Sequence, residues 1–371
     1  MNIFYAVNSG YPGGVEQHVL DLTKGMIASG NKVFVWCLKG PIVDWYKSAG
    51  ASVITRRILF EVDPFYIFSL VKFIKNNSIN VVHAHELKAG VNAILAANIA
   101  GVKIKITHVH TPMSEWQIKN ILKRILVKIE TYFYTIFVNI FSDAEIALTE
   151  SRKKIKIGEG MLTNRLVVIP NGIDPSKFIF DEESRRQILA KYNIPLDSIV
   201  IGNVGRKTVE KGHSVLVEAF SKISSDMPLI LLLAGGGALE ESLRKTCKDL
   251  GIESKVRITG IFENDDLNKY YSAIDLFVFP SLAEGFGIVL IEAMSSAIPV
   301  ISSDIEVLKE VGGKDIVYFK TSDSEDLKNK IQEMLKLSEM QRKEIGLKLQ
   351  ERVSQNFSMK NFIQNYIKLY S

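Results

Sequence analysis

Two glutamates eight positions apart, Glu284 and Glu292, lie in the stretch EGFGIVLIE. The apolar run at 273–280 predicts a buried strand, and the run at 288–297 predicts a helix, so Glu284 belongs on the connecting loop and Glu292 about one turn into the helix. Carboxylates placed in this way can accept hydrogen bonds from two sugar hydroxyls of one ligand. The glycines and the free N–H groups of a new helix favour an anion such as a diphosphate. The alternative is a glycine turn with two solvated glutamates.

Two cations occupy a second glycine-bounded loop. Arg206 and Lys211 follow the strand predicted at 199–204 and lie between Gly205 and Gly212. Arginine offers a planar fork for phosphate oxygens, and lysine a point charge. The pair therefore indicates a phosphate site, and the alternative is two exposed loop cations.

Histidines follow two predicted strands of the first half. His83 and His85 end one strand, and His108 and His110 end the next. Ligands of parallel sheets bind at the carboxyl ends of strands. A zinc site is conceivable, but no carboxylate or cysteine completes a ligand set. A histidine that donates a hydrogen bond to a sugar or phosphate oxygen is therefore the favoured interpretation.

Strands and helices alternate along both halves of the 371-residue chain. This pattern predicts an α/β fold with two parallel sheets covered by helices on both faces. The length also favours two domains, and a turn-rich stretch at 170–175 marks their junction. We therefore expect domains at 1–170 and 171–357, each doubly wound.

The composition, 47% hydrophobic and 23% charged, is typical of a globular protein. Cys37 and Cys247 lie far apart and indicate no disulfide framework, which favours a reducing cytoplasm. The N-terminus has no signal-peptide pattern, and no run of about 18 apolar residues predicts a membrane span. We expect a cytoplasmic protein.

The charge is asymmetric, with a net charge of +8 over residues 1–170 and −3 over residues 171–371. A basic first half indicates an anionic partner such as a membrane, a lipid phosphate or nucleic acid, or else only a basic solvated surface. No nucleic-acid-binding motif is recognisable, so we expect no nucleic-acid partner.

The segment 118–141 predicts a long basic amphipathic helix. Lys119, Lys123, Arg124 and Lys128 lie among apolar residues in its first half, and its second half is aromatic. Such a helix suits an anionic membrane surface. The alternative is a helix packed on its own sheet with solvated lysines.

Four motifs occur together and in order: Gly13-Gly14-Val15-Glu16, PNGID at 170–174, the loop with Arg206 and Lys211, and the stretch from Glu284 to Glu292. With them the whole chain resembles the retaining glycosyltransferases of the GT-B fold, family 4 type, a nucleotide-sugar-dependent group of bacterial surface-polysaccharide enzymes. The resemblance implies two Rossmann-like domains that face each other across a cleft. The first, with a crossover helix at 358–371, would lie on the acceptor side, and the second would bind the nucleotide sugar.

The resemblance also implies a role for each matching residue. Arg206 and Lys211 would hold the diphosphate, and His110 and Glu284 would face the donor sugar, which makes these four the candidate catalytic residues. Glu292 would bind the ribose. The remaining candidate donor-binding residues are Gly14, Thr111, Phe262, Phe286, Gly287 and Ile288, the last three through backbone amides. Lys207 stands where an apolar residue is more common, and it could be a third phosphate cation.

The implied reaction moves a hexosyl or N-acetylhexosaminyl group from a nucleotide-diphosphate sugar, with UDP favoured and GDP still open, to a hydroxyl of a glycan or lipid-linked glycan. Fixed cations and helix N-termini would stabilise the leaving diphosphate. The sequence has no Asp-x-Asp pair, so we expect no metal and no cofactor beyond the donor. Front-face attack assisted by the leaving phosphate is the preferred mechanism, by family analogy.

Two rival interpretations are a nucleotide-sugar 2-epimerase and a non-catalytic nucleotide-sugar-binding protein. The implied location is the cytoplasm, with peripheral binding to the inner face of the cytoplasmic membrane as an option.

Overall fold

The computed structural model describes residues 1–115, 120–224 and 228–371. The chain divides into two units. The first consists of Met1–Asn171 with Lys360–Ser371, and the second of Gly172–Met359. Each unit has its own hydrophobic core, built around a parallel sheet.

In the described part of the first unit, seven parallel strands form one sheet in the order β3-β2-β1-β4-β5-β6-β7. The strands are β1 (Asn2–Ala6), β2 (Lys32–Cys37), β3 (Ser52–Thr55), β4 (Val81–His85), β5 (Ile104–His108), β6 (Ala144–Ala147) and β7 (Leu166–Val168). The helices between them are α1 (Gly14–Ala28), α2 (Ile42–Ser48), α3 (Pro64–Asn76), α4 (Leu87–Ala100), α5 (Ile121–Phe141) and α6 (Glu150–Gly158). Strand β4 is buried over its whole length, as expected for a parallel strand covered on both faces.

In the described part of the second unit, six parallel strands follow the order β10-β9-β8-β11-β12-β13. The strands are β8 (Ile199–Val204), β9 (Leu229–Ala234), β10 (Val256–Ile258), β11 (Leu276–Phe279), β12 (Val300–Ser303) and β13 (Val317–Phe319). The helices are α7 (Glu182–Lys191), α8 (His213–Ser221), α9 (Glu240–Asp249), α10 (Leu267–Ser272), α11 (Ile288–Ser295), α12 (Glu306–Gly312), α13 (Ser324–Leu335) and α14 (Glu339–Asn356). The strand order reverses at β8 and β11, and ligands of doubly wound sheets bind at such a switch point.

The last helix, α15 (Met359–Leu369), packs on α1 of the first unit. The rings of Phe362 and Tyr366 lie 5.2 and 5.8 Å from the ring of His18. Tyr370 follows the helix, and its hydroxyl lies 2.7 Å from Nδ1 of His83. The C-terminus is thereby fixed to the first sheet.

Several predicted bounds are wrong in instructive ways. The polar sequence from Asp323 to about Asn356 predicts helix throughout, but the structure has two helices there, because Ser338 caps α14 in a capping box with Gln341. The sequence at 354–358 predicts a break before the last helix, but α14 continues to Asn356 and the last helix begins at Met359, so the break is shorter than predicted. Three short helices, α6, α10 and α12, were not predicted. Residues 118 and 119 of the predicted amphipathic helix lie outside the described residues.

Candidate active site

The carboxyl ends of β8 and β11 bring Lys211 and Glu284 together. Lys211 Nζ donates a hydrogen bond to Glu284 Oε1 at 2.6 Å, and Ser281 Oγ donates to the same oxygen at 2.8 Å. The side chains of Lys211 and Glu284 are 18% and 9% exposed. The two predicted residues therefore form a largely buried ion pair that keeps a small exposed surface.

The loops that carry this pair are fixed to each other through the backbone. The amide of Leu282 donates to the carbonyl of Glu210 at 2.8 Å. Gly212 has a φ of 64°, and a Cβ at this position would collide with the carbonyl oxygen of Pro280. Glycine is thus required by both the backbone conformation and the close approach.

Helix α11 begins directly after the Glu284 loop. Gly287 precedes it with a φ of 94° and accepts hydrogen bonds from the amides of Leu290 and Ile291. The first amides of a helix, here from Ile288, have no acceptor within it and attract anions. The side chain of Phe286 is buried and packs edge-on against Phe357 at 5.7 Å, so its backbone is the part that a ligand can reach.

Glu292 lies on α11 and is half-buried. The hydroxyl of Tyr271 donates to Glu292 Oε2 at 2.7 Å. Burial raises the pKa of Glu292 to about 7, although the Tyr271 hydrogen bond opposes this shift. A ligand hydroxyl that donates to the ionised carboxylate would favour its charged form.

The two cations of the loop after β8 differ in their environments. Arg206 is exposed. Lys207 is fully buried, and its Nζ donates to the carbonyl of Thr259 at 2.9 Å. Burial also lowers the pKa of Lys207 to about 8. The suggestion that Lys207 is a third phosphate cation is therefore wrong, because its side chain points into the core.

Phe262 follows the carboxyl end of β10, at the same edge of the sheet as the Lys211–Glu284 pair. Its ring is half-buried and lies 4.2 Å from the ring of Tyr270, tilted by 32°. The hydroxyls of Tyr270 and Tyr192 lie 3.0 Å apart and hold this aromatic pair in place. The parallel strands of the unit bring all the predicted second-half residues to this edge.

In the first unit, four histidines form one cluster. His85, His108 and His110 come from the ends of β4 and β5, and His18 comes from α1. One ring nitrogen of each lies within 4.8 Å of the others. Burial and the neighbouring histidines hold the pKa values of His85, His108 and His110 well below the usual range. Sequence reasoning found three of these residues and missed His18, whose position on a buried helix face carried no motif.

A cavity of about 390 Å³ adjoins His110 in the same unit. Its lining comes from the strand ends and the starts of α1 and α4: Asn8, Val15, Glu86, Leu87, Lys88, Val109, His110 and Thr111. Gly14 begins α1 directly beside this lining. Glu86 has a φ of 67°, which is strained for a residue with a side chain. Burial, with Glu16 nearby, raises the pKa of Glu86 to about 7. Sequence reasoning did not single out Glu86.

A buried ion pair supports the segment that carries His110. Lys156 Nζ donates to Glu145 Oε1 and to the carbonyl oxygens of Val109 and Ile146, at 2.8 and 2.7 Å for the two carbonyls. The amide of Val109 donates to the same carboxylate at 3.1 Å. Both side chains are fully buried. The pair therefore fixes both backbone groups of the residue before His110.

Family models match both halves of the chain. Residues 12–177 match Glycosyltransferase Family 4, and residues 184–349 match Glycosyl transferases group 1. The chain belongs to the family 4 type of glycosyltransferases. The two matches together include every predicted site residue, from Gly14 to Glu292.

Curated relatives of this glycosyltransferase include the uncharacterized glycosyltransferase MJ1607 of Methanocaldococcus jannaschii, which is 35% identical over 167 residues, 43% of this chain and 43% of the relative. The UDP-Gal:alpha-D-GlcNAc-diphosphoundecaprenol alpha-1,3-galactosyltransferase of Escherichia coli is 28% identical over 278 residues, 72% of this chain and 69% of the relative. The chain thus spans less than half the length of the archaeal relative that it matches.

The crystal structure of Anabaena Alr3699/HepE in complex with UDP and glucose matches the glycosyltransferase with a TM-score of 0.85. The match covers 99% of this chain and 98% of that chain at 20% identity. A likeness at this identity shows the fold alone, and it confirms the predicted GT-B class. Across the described residues, no helix is both long and apolar enough to cross a membrane.

Proposed function

We propose that this glycosyltransferase moves a hexosyl or N-acetylhexosaminyl group from a nucleotide-diphosphate sugar to a hydroxyl of a glycan or lipid-linked glycan, with retention at the anomeric carbon. The observation that carries the proposal is the Lys211–Glu284 pair at the carboxyl edge of the second sheet. This pair places a cation and a hydrogen-bond acceptor side by side, which is what a sugar diphosphate requires. The product would enter a cell-surface polysaccharide.

Stabilising the leaving diphosphate is the main catalytic task. In the proposed step, the bond between the anomeric carbon and the diphosphate oxygen breaks, and the acceptor oxygen bonds to that carbon on the same face. The leaving diphosphate takes the proton of the acceptor hydroxyl. Arg206, Lys211 and the amides at the start of α11 would balance the developing negative charge without a metal ion.

The donor sugar and the ribose would each have a carboxylate. Ser281 and Lys211 orient the Glu284 carboxylate, which would accept hydrogen bonds from sugar hydroxyls. Glu292 lies about one turn into α11 and would accept from the ribose. Phe262 would lie against the base. His110 and Thr111 would contact the donor sugar from their own unit, and Gly14 would let the loop before α1 approach the phosphates.

UDP is the favoured nucleotide. The Escherichia coli relative is named for UDP-Gal, and the Anabaena structure was solved with UDP. These two names support the choice of UDP, while GDP stays an alternative. The same relative acts, by its name, on a diphosphoundecaprenol-linked sugar, which supports a lipid-linked acceptor.

Helix α5 would hold the enzyme at an anionic membrane surface, at the inner face of the cytoplasmic membrane. Its buried residues are few: Thr131, Tyr134, Thr135 and Val138. Large apolar side chains are exposed along the rest of the helix: Ile121, Leu122, Ile125, Leu126, Ile129, Tyr132, Phe133, Ile136 and Ile140. Lys123, Arg124 and Lys128 lie among them and are exposed. An exposed apolar stripe with interspersed cations matches the chemistry of an anionic lipid surface.

The aromatic part of this helix is only partly available to lipid. Tyr132 and Phe133 are exposed, but Tyr134 is buried and donates to Glu145 Oε2 at 3.2 Å. Phe137 packs against Phe141 and the core below α4. Tyr134 and Phe137 are therefore part of the protein core and are not available to lipid.

Thermal unfolding with UDP, GDP and ADP tests the donor proposal. A ligand at about 100 times its dissociation constant stabilises the folded state by roughly 2.7 kcal/mol. We expect UDP to raise the Tm most. A Tm unchanged by all three nucleotides would contradict nucleotide-sugar binding, and epimer formation without transfer would favour a 2-epimerase.

A further inference from the structure

The ring spacing in the histidine cluster of the first unit is close to that of ligands around one metal ion. Two imidazoles bound to the same tetrahedral ion, with metal–nitrogen distances of about 2.0–2.1 Å, have ring centroids roughly 5 Å apart. The ring of His18 lies 5.5, 4.9 and 4.8 Å from those of His85, His108 and His110. The ring of His85 lies 5.5 and 5.6 Å from those of His108 and His110. Five of the six separations therefore suit a shared ion.

The sixth separation identifies the side chain that would have to move. His108 and His110 stack 3.8 Å apart with an angle of 10° between their planes, so one ion cannot lie in both ring planes. Of the four histidines, His110 alone is not fully buried. Rotation of the His110 ring would open the stack and break its 3.3 Å contact with Nδ1 of His85, while the other three rings stay in place.

Several buried ring nitrogens of the cluster have no hydrogen-bond partner among the described residues. Neither nitrogen of His108 has a hydrogen-bond partner among the described residues, and Nε2 of His85 also has none. A buried polar atom without a partner costs about 1–3 kcal/mol, so each such atom calls for an explanation. His213 of the second unit also has two unpartnered nitrogens. Unused nitrogens alone therefore do not define a site, and the grouping of four rings is the distinguishing feature.

His18 has the orientation of a metal ligand. Its Nδ1 lies 2.8 Å from Oδ1 of Asn171, so Nδ1–H donates to that oxygen. This tautomer leaves the lone pair on Nε2, which lies 3.4 Å from the Tyr366 hydroxyl, a long contact that a metal ion would replace. Metal-bound histidines are commonly fixed in this way, through a hydrogen bond from the other ring nitrogen to a side-chain or backbone oxygen.

We propose that His18, His85, His108 and His110 bind one divalent ion of the zinc class. Neutral imidazoles are ligands for zinc, copper and nickel, and magnesium and calcium, which prefer oxygen, are excluded. Zinc suits the site best because five of the six ring separations match tetrahedral coordination.

Binding of the ion would inhibit the transferase. Because His110 would turn towards the ion, it would leave its place beside the donor sugar. This inhibitory part rests on the function proposed above, whereas the binding of the ion does not. The ion takes no part in the sugar-transfer step.

Spectroscopy of the metal-loaded protein tests the site directly. Untagged full-length protein is stripped with a chelator and titrated with Co²⁺ near neutral pH. We expect the visible absorption of tetrahedral Co²⁺ to saturate at one equivalent and to disappear when Zn²⁺ is added. X-ray absorption of the zinc form is expected to show nitrogen ligands of imidazole. Absence of the Co²⁺ bands, or a zinc shell with sulfur, would overturn the proposal.

Variants locate the ion in the cluster. His85→Gln and His108→Gln are each expected to weaken Zn²⁺ binding about tenfold or more. His213→Gln is the matched control, because it removes a buried and unpartnered histidine outside the cluster. Equal Zn²⁺ affinity in all three variants and the wild type would overturn the proposal. Circular dichroism and Tm measurements show whether each variant is folded, and the absorption experiment on the wild type needs no variant.

Donor turnover tests the inhibitory part separately. Zn²⁺ is expected to slow turnover of a UDP-sugar about tenfold, and EDTA is expected to restore it. Full turnover with Zn²⁺ bound would overturn inhibition. A protein that binds Zn²⁺ but shows no turnover in EDTA would contradict the proposed function and leave the metal site intact.

Discussion

Lys211 Nζ lies 2.6 Å from Glu284 Oε1 although the two residues are 73 positions apart in the chain. The β8 and β11 loops that carry them are joined by the hydrogen bond from Leu282 to Glu210. The charges are therefore positioned before any donor binds, which is the condition for electrostatic stabilisation of a leaving group. Lys211 can contact a diphosphate while it holds the carboxylate that would face the sugar.

Lys211→Ala and Arg206→Ala are expected to reduce kcat/KM for the donor about a hundredfold each, equivalent to roughly 3 kcal/mol of transition-state stabilisation. Both variants should fold, because both residues lie between β8 and α8, but Lys211→Ala should lower the Tm more than Arg206→Ala because it leaves the largely buried Glu284 carboxylate without its cation. Steady-state kinetics and thermal unfolding measure the two effects separately. Lys222→Ala is the control, because it removes another ion-paired lysine at the far end of α8. Near-normal turnover in both site variants would contradict the diphosphate role.

The Glu292 carboxyl should make both stability and donor binding depend on pH. Folding raises its pKa from 4.5 to about 7, so between these values the folded state binds more protons than the unfolded state. The stabilisation that comes from this raised pKa is complete below the unfolded-state value of 4.5, and it is lost as the pH rises through the folded-state value of about 7. Glu292→Gln removes this loss, so the Tm of the variant relative to wild type should rise from about pH 5 to about pH 8.

The same substitution should affect UDP binding. Ribose hydroxyls donate to the ionised carboxylate, so wild-type affinity should increase with pH through the pKa of Glu292, and the affinity of Glu292→Gln should be lower and nearly independent of pH. Glu284→Gln should instead reduce kcat more than it raises KM, because charge develops on the sugar that Glu284 would face. Calorimetry measures UDP affinity, and steady-state kinetics measure kcat and KM. A Glu292→Gln variant that mainly loses kcat, together with a Glu284→Gln variant that mainly loses donor binding, would contradict both assignments.

Helix α5 should bind anionic vesicles. Each cation near such a surface contributes roughly 1 kcal/mol, and the exposed apolar stripe adds buried area. A variant with Lys123, Arg124 and Lys128 changed to Gln should remain in the supernatant of a vesicle co-sedimentation experiment, whereas the wild type should pellet, more weakly at high salt. Lys119, the fourth cation of the predicted helix, lies outside the described residues.

A control for the membrane experiment is available on α14 and the turn before it. Changing the exposed residues Lys336, Lys343 and Lys348 to Gln removes the same charge from the second unit. That variant should pellet with anionic vesicles like the wild type. Equal loss of binding in both variants would show that net charge, rather than α5, is responsible, and a wild type that ignores the vesicles would favour a soluble acceptor.

The buried pair of Lys156 and Glu145 should be important for both stability and activity. Lys156→Met leaves an unpaired buried carboxylate and two unpaired carbonyls, and the expected cost is about 3–5 kcal/mol of unfolding free energy. Lys156→Met combined with Glu145→Leu should cost less than the sum of the single changes. Urea denaturation measures these free energies. Lys105→Met is the control, because it breaks the more exposed pair with Asp143, for which about 0–1 kcal/mol is expected. Additive effects at 145 and 156 would contradict the coupling.

The alternation of apolar runs and glycine loops was sufficient to predict both sheets, because parallel strands are buried on both faces and give a strong local signal. The short helices α6, α10 and α12 were missed because six to nine residues are too few to show a helical period against polar sequence. The break before α14 was missed for a different reason: a capping box begins the new helix, and no proline or glycine marks the position.

Residues of the site were predictable where a glycine marked a strand end, as at Lys211 and Glu284. Residues that depend on tertiary contacts were not. His18 joins the histidine cluster from a helix far from the strand-end motifs, and Glu86 is distinguished by a backbone strain that only the structure reveals. Lys207 could not be separated from Arg206 by sequence, because two adjacent cations on a loop can point in opposite directions.

Release of nucleotide from a donor tests the central proposal most directly. UDP-sugars of different sugar identity are incubated with the wild type and with Lys211→Ala in the presence of EDTA, with and without lipid-linked glycan acceptors, and UDP and the anomeric configuration of the product are measured by NMR. We expect the wild type to release UDP from at least one donor, faster with acceptor and with retention, and the variant to do so about a hundredfold more slowly. An inverted product, or UDP release equal in both proteins, would contradict the proposed catalytic site.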